Sequence, residues 1–212
     1  MTRTIDFHYD LLSPFAHVAL ARIGELPADV TVVPKPVLLG AVLSHWGVRG
    51  PAEIDPKRLP TYRLSVFLAE KYGVPMRFPP RHPYNPLAAL RILAGADADL
   101  AMTRRAFAFV FEQAQAPDDE AGLAAFAEAV GAPVSLATDD SAKAKLRALT
   151  EEAIGRGVFG VPTFAVPTGN GHELFWGVDA FEMLKAWLAD ETMFTREPYA
   201  HLDDIEVGIR RK

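Results

Sequence analysis

The chain contains no cysteine. Disulfide staples, thiolate metal sites and catalysis by a protein thiol are therefore excluded, and the core must be made by burial alone. A chain of 212 residues is long enough, because at this size roughly 70% of the unfolded surface is buried on folding. Basic clusters are also scarce. Net charge is -5, and the one run of cations, Arg210-Arg211-Lys212, reads as a solvated tail, so no nucleic-acid partner is expected. Long apolar runs are missing too, none approaching the ~20 residues that cross a bilayer. Asp6 and Asp10 interrupt the N-terminal segment, which removes a leader-like apolar core. No membrane association is expected, and the cytoplasm is the expected location. The six histidines lack metal-ligand spacing, so no metal site is expected.

What is present is a change of periodicity along the chain. Residues 4–9 alternate Ile5, Phe7 and Tyr9 against Asp6 and His8, the pattern of a half-buried strand. Residues 14–24 place Phe15, Val18, Ala19 and Ile23 on one helical face. Residues 30–33 form a β-branched run, which completes a β-α-β unit of roughly 35 residues. Residues 38–54 read as a loop. Helices are then expected over 56–72, 87–96, 101–115, 121–131 and 141–157, segments rich in Ala, Leu, Glu, Lys and Arg. Prolines 79, 80, 83 and 86 mark an irregular connection within this block. Strand character returns at 160–166 and 173–176 around a Pro-Thr-Gly-Asn-Gly turn, and a last helix is expected to open at Gly177-Val178-Asp179 and run over 180–188.

The order is β-α-β, a helical block, then β-β-α. That is the α/β thioredoxin-like fold with a large all-helical insertion. The expected division is a discontinuous thioredoxin-like domain (1–40 and 158–190), a helical insertion domain (41–157) and a C-terminal tail (191–212).

Three stretches, FHYDLLSPFAHVALARI, GVFGVPTFAV and ELFWGVDAFEMLKAWL, occur in this order around the helical block. Together they resemble the 2-hydroxychromene-2-carboxylate isomerases and kappa-class glutathione transferases, in the DsbA-like branch of the thioredoxin fold. In that branch the oxidoreductases carry Cys-x-x-Cys where this chain has Ser13-Pro14-Phe15-Ala16. The resemblance implies an enzyme that uses glutathione as cofactor, with Ser13 as the catalytic residue holding its thiolate. It also implies that Val161 and a cis Pro162 meet the cysteinyl portion, that Gly177, Val178 and Asp179 hold the glutamyl portion, and that the protein is a homodimer. The second ligand implied is a small aromatic-derived substrate, with Phe15, His17, His45, Trp46 and Asn85 as candidate pocket residues.

The residues support part of this independently. Ser-Pro is a favoured helix start, with Ser as N-cap and Pro at the first helical position. The same geometry makes an anion site, because helix N-termini present free N–H groups and a positive dipole end. Asp179 is equally readable as an acidic residue in a first helical turn, and Asn85 as an Asx turn in a proline-rich loop. One departure from the family pattern stands out. Residues 38–54, LLGAVLSHWGVRGPAEI, hold Leu43, Ser44, Val48 and Glu53 where a lysine and asparagines are typical. The expected activity is glutathione-dependent isomerisation. Alternatives are a kappa-like transferase or peroxidase, a serine hydrolase (disfavoured by the missing G-x-S-x-G elbow) and a non-catalytic binding module.

Overall fold

The computed structural model describes residues 3–209; the basic triplet 210–212 lies outside them. The sheet has four strands: β1 (Arg3–Tyr9), β2 (Val30–Pro36), β3 (Thr163–Thr168) and β4 (Gly171–Trp176). Their order is β2-β1-β3-β4, with β2 parallel to β1 and β3 and β4 antiparallel to their neighbours. This is the thioredoxin arrangement expected from the sequence. Helix α1 (Pro14–Arg22) follows β1. Five long helices then intervene: α3 (Asp55–Lys71), α4 (Leu87–Gly95), α5 (Leu100–Phe111), α6 (Glu120–Val130) and α7 (Asp140–Gly155). The last helix is α8 (Phe181–Ala189).

Strand β3 begins at Thr163, not 160, and takes in Pro167 and Thr168 of the expected turn; four further boundaries differ from expectation, each for a physical reason. Strand β2 runs through Pro34 and Pro36, which pair with Phe7 and Tyr9. It is an edge strand whose odd residues face β1, as Val37 N donating to Tyr9 O shows, so the prolines sit where no ladder donor is needed. Helix α5 stops at Phe111, and Ala114 then takes φ +57, so the helix does not extend to 115. Residues 38–54 are not all loop: Leu39–His45 form α2, followed by a 3-10 turn at Pro51–Glu53. Finally, the segment 177–180 is a turn, not helix, because Gly177 has φ +91.

The sheet and the helical block share one apolar core. Phe7 and Phe164 lie 4.9 Å apart between ring centres, Tyr9 lies 5.6 Å from Phe107 of α5, and Phe164 lies 5.6 Å from Phe181 of α8. A smaller cluster of Val37, Val42, Ala153, Val158 and Val161 sits under α2.

Arg22, at the end of α1, ties this assembly together. Its buried guanidinium lies 4.0 Å from the Tyr72 ring and 4.4 Å from the Phe181 ring. It donates to Glu25 at 2.8 and 2.9 Å and also to Glu182. A desolvated cation between two rings contributes about 2 kcal/mol. Arg22→Ala is therefore expected to lower the melting temperature by about 4–8 °C, measured by calorimetry.

Candidate active site

The site begins at the turn after β1. Asp10 is fully buried. Its Oδ1 accepts from Leu12 N at 2.9 Å and its Oδ2 from Leu39 N at 2.8 Å. One carboxyl thus fixes the β1–α1 turn and the start of α2. Ser13 follows, with its N–H donating to Asp10 O at 2.9 Å. Ser13 is the N-cap of α1: its Oγ accepts from Ala16 N at 3.1 Å, and Pro14 is the first helical residue. The Ser13 hydroxyl donates to Val161 O at 3.3 Å and is only 5% exposed.

Val161 precedes β3 through a cis bond to Pro162. Pro162 O accepts from Gly177 N at 2.9 Å, which brings the turn after β4 beside this strand entry. In that turn a Cβ on Gly177 would meet Asp179 Oδ1 at 2.3 Å. Only glycine allows the Asp179 carboxyl to fold over the backbone there. Hydrogen bonds thus connect Ser13 to Val161 and Gly177 to Pro162, with Val178 buried and Asp179 exposed in the turn that follows Gly177.

Beside Ser13 is a cavity of ≈140 Å³. Its apolar walls include Leu12, Pro14, Phe15, Leu39, Leu43 and Val161; its polar ones are Ser13, Glu53, Thr61, Tyr62 and His82. The His82 imidazole spans two elements. Its Nε2 lies 2.9 Å from Leu12 O and donates to it, which leaves Nδ1 as the acceptor of a neutral ring. The Tyr62 hydroxyl lies 2.8 Å from both that Nδ1 and His82 O, sharing its one proton between two acceptors. Burial lowers the pKa of His82, which favours this neutral form.

Residues 4–189 match the family model for the DSBA-like thioredoxin domain. The chain belongs to that family. A 2-hydroxychromene-2-carboxylate isomerase of Pseudomonas putida is 32% identical over 192 residues, covering 86% of this chain and 92% of the relative. The isomerase of Sphingobium xenophagum is 27% identical over 205 residues, covering 90% and 100%. A kappa 2 glutathione S-transferase of Caenorhabditis elegans is 23% identical over 210 residues, covering 89% and 92%. Among solved structures, a 2-hydroxychromene-2-carboxylate isomerase superposes with a TM-score of 0.74 at 27% identity, covering 88% of this chain and 94% of that one.

Not every residue singled out from the sequence reaches the cavity of this DSBA-like chain. Phe15 lines it. His17 turns the other way: its Nε2 lies 2.9 Å from Pro75 O and its ring stacks near Phe107 and Phe111. Burial lowers its pKa. His45 is the last residue of α2 and lines a separate cavity of ≈620 Å³ between α2, α4 and α7. Trp46 lies against His45 and donates from Nε1 to Val158 O at 3.0 Å. Asn85 is exposed, and its Oδ1 accepts from Leu87 N at 3.1 Å, the Asx turn that opens α4. Residues 177–179 do not open a helix, and the Gly177 amide already serves Pro162 O. Leu43 and Glu53 are among the departures from the family pattern in residues 38–54, and His82 belongs to the stretch 82–86 that the resemblance sets beside the site; Thr61 and Tyr62 carry only the signature of a helix.

Two buried titratable groups near the turn act in opposite senses. His8 faces the side of β1 away from Phe7, and neither ring nitrogen has a partner among the described residues. Burial lowers its pKa to about 4 from 6.5. Burial raises the pKa of Asp10 to about 6 from 3.8, against its two amide bonds. Between pH 4 and 6.5 the unfolded chain holds more proton at His8, so that residue makes stability rise with pH. Between pH 3.8 and 6 the folded chain holds more proton at Asp10, so that residue makes stability fall with pH. The two oppose each other across nearly the same window. Asp10→Asn is expected to give a steeper rise of the urea midpoint from pH 4 to 6.5 than the parent, and His8→Leu a shallower one.

Proposed function

We propose that the chain is a glutathione-dependent isomerase acting on an unsaturated aromatic-derived substrate, with glutathione regenerated each turnover. The observation that carries this reading is the buried Ser13 hydroxyl, which caps α1, borders the cavity and sits against the Val161 backbone. The donor set suits the tripeptide: a hydroxyl and a helix N-terminus for a sulfur anion, and the Gly177–Asp179 turn, which a Cβ would fill, for the charged glutamyl end. When bound, glutathione supplies a thiolate whose reversible addition to carbon allows a neighbouring double bond to rotate.

The rest of the work falls to the chain. An ordinary thiol has a pKa of about 8.5, so roughly 3% is ionised at neutral pH. A hydrogen bond from Ser13 to an anion contributes about 1.5–3 kcal/mol. The α1 dipole adds about 0.3–1 kcal/mol. At about 1.4 kcal/mol per unit, together they lower a thiol pKa by about one to three units. The present partner of the Ser13 proton, Val161 O at 3.3 Å, is a long bond and gives way to a charged acceptor at little cost. No general base is required. The cavity walls exclude water and hold the substrate against the reacting sulfur.

A kappa-type transferase is the second reading, supported by the Caenorhabditis elegans relatives. Product analysis separates the two: a stable conjugate means transfer, and unaltered glutathione means isomerisation.

Ser13→Ala is expected to raise the pKa of the bound thiol by about one to two units and to lower turnover at neutral pH about 10- to 100-fold. The check is thiolate absorbance of the glutathione complex followed against pH. An unchanged titration would sink the assignment of Ser13.

A further inference from the structure

The walls of the Ser13 cavity carry one charge, and it is negative. Among the described residues no lysine or arginine lines it. Glu53 does, with Oε1 accepting from Gly50 N at 3.2 Å. Two arginines come near without lining it, their guanidinium groups held on carbonyls of the same 3-10 turn. Arg49 donates to Glu53 O at 2.7 Å; Arg58 donates to Ala52 O at 2.7 Å and to Asp55 Oδ1 at 2.7 Å. The remaining polar walls are uncharged. Thr61 donates its proton to Lys57 O at 2.8 Å, and Tyr62 can turn its shared proton from His82 to a substrate oxygen. His82, donating from Nε2 to Leu12 O, is a neutral ring.

Apolar groups make up the rest. Leu43 lies against Gly50, where an added Cβ would meet Leu43 Cδ1 at 3.3 Å and Glu53 Oε1 at 3.0 Å. Leu43 and Glu53 are thus neighbours across one glycine. The cavity is open to solvent and small, ≈140 Å³ against the about 150 Å³ that takes a benzene molecule, so it suits one ring whose side chain reaches out through the mouth.

A carboxylate brought into this space loses water, meets no cation and faces a like charge at the mouth. A carbonyl meets an apolar wall and a hydroxyl donor. We propose that the electrophile accepted beside Ser13 is an uncharged, single-ring α,β-unsaturated aldehyde, ketone or ester, and that Glu53 and Leu43 make the site discriminate against carboxylates such as the one for which the isomerase relatives are named. This rests on Ser13 as the seat of the glutathione sulfur. It deepens that reading by specifying the second ligand. No co-reactant beyond glutathione enters: the carbon–sulfur bond that forms is the one that later breaks, and the double-bond electrons return to carbon.

The test has two arms. The first omits glutathione and titrates the protein calorimetrically with 4-phenylbutan-2-one and with 3-phenylpropanoate, which differ by a methyl against a charged oxygen. The neutral ligand is expected to bind at least about tenfold more tightly. Glu53→Gln is expected to narrow that ratio, and Leu43→Lys, which sets an ammonium beside Glu53, to narrow it further. Equal or tighter binding of the acid by the parent protein overturns the proposal, as does an unchanged ratio in Glu53→Gln. That variant changes only an exposed side chain at a 3-10 turn, so it remains informative should Leu43→Lys fold poorly. The second arm adds glutathione and compares cis-benzylidenepyruvate with its methyl ester. Preference for the ester by about tenfold in kcat/KM supports the proposal. Equal turnover of both overturns it while leaving glutathione dependence intact. Absence of glutathione-dependent turnover, with the binding preference preserved, overturns the glutathione reading alone.

Discussion

The Asp10 carboxyl is the constraint on which the site depends. Its two oxygens take the amides of Leu12, in the turn after β1, and Leu39, at the start of α2, with α1 and β2 lying between them in the chain. The first bond shapes the turn that delivers Ser13 to the start of α1. The second substitutes for a missing N-cap, since Leu38 offers α2 no side-chain acceptor. A buried carboxyl without a cation is costly, and its raised pKa is the sign of that cost. The return is geometric: one group sets the distance between the Ser13 turn and α2, which line the same cavity.

The sheet, α1 and the long helices were legible because their signals are local. Alternation of Ile5, Phe7 and Tyr9 marks β1, and Ser13-Pro14 marks the first turn of α1. Helix α2 was not legible, because its cap is a residue 29 positions away. The extension of β2 through Pro34 and Pro36 was hidden for a related reason: whether a proline is tolerated in a strand depends on which edge faces a neighbour. The candidate glutathione residues came from the resemblance of three motifs, and hydrogen bonds join two pairs of them, Ser13 with Val161 and Gly177 with Pro162. The cavity's polar walls could not be found this way. Tyr62 sits in a helix, His82 in a proline-rich loop and Glu53 in a 3-10 turn, and nothing in the local pattern of any of the three indicates the others.

The division of labour in the site follows from where charge is allowed. On one side of Ser13 the chain offers a helix N-terminus, strand backbone and the Asp179 turn, all suited to a zwitterionic tripeptide. On the other it offers aliphatic and aromatic walls with hydroxyls. The absence of cysteine removes the thiol redox chemistry of the fold from this turn. A cysteine at position 13 would be a nucleophile itself; a serine there serves as a hydrogen-bond donor.

The shared core described above has a mechanical consequence. Because Phe107 of α5 lies against Tyr9 of β1 and His17 of α1, any swing of the helical block on the sheet opens aromatic contacts in the core. Helix α2 stands apart from that core: seven residues long, with Val42 as its one buried side chain, it separates the cavity beside Ser13 from the one lined by His45, so Asp10 holds the partition between two spaces through a single amide.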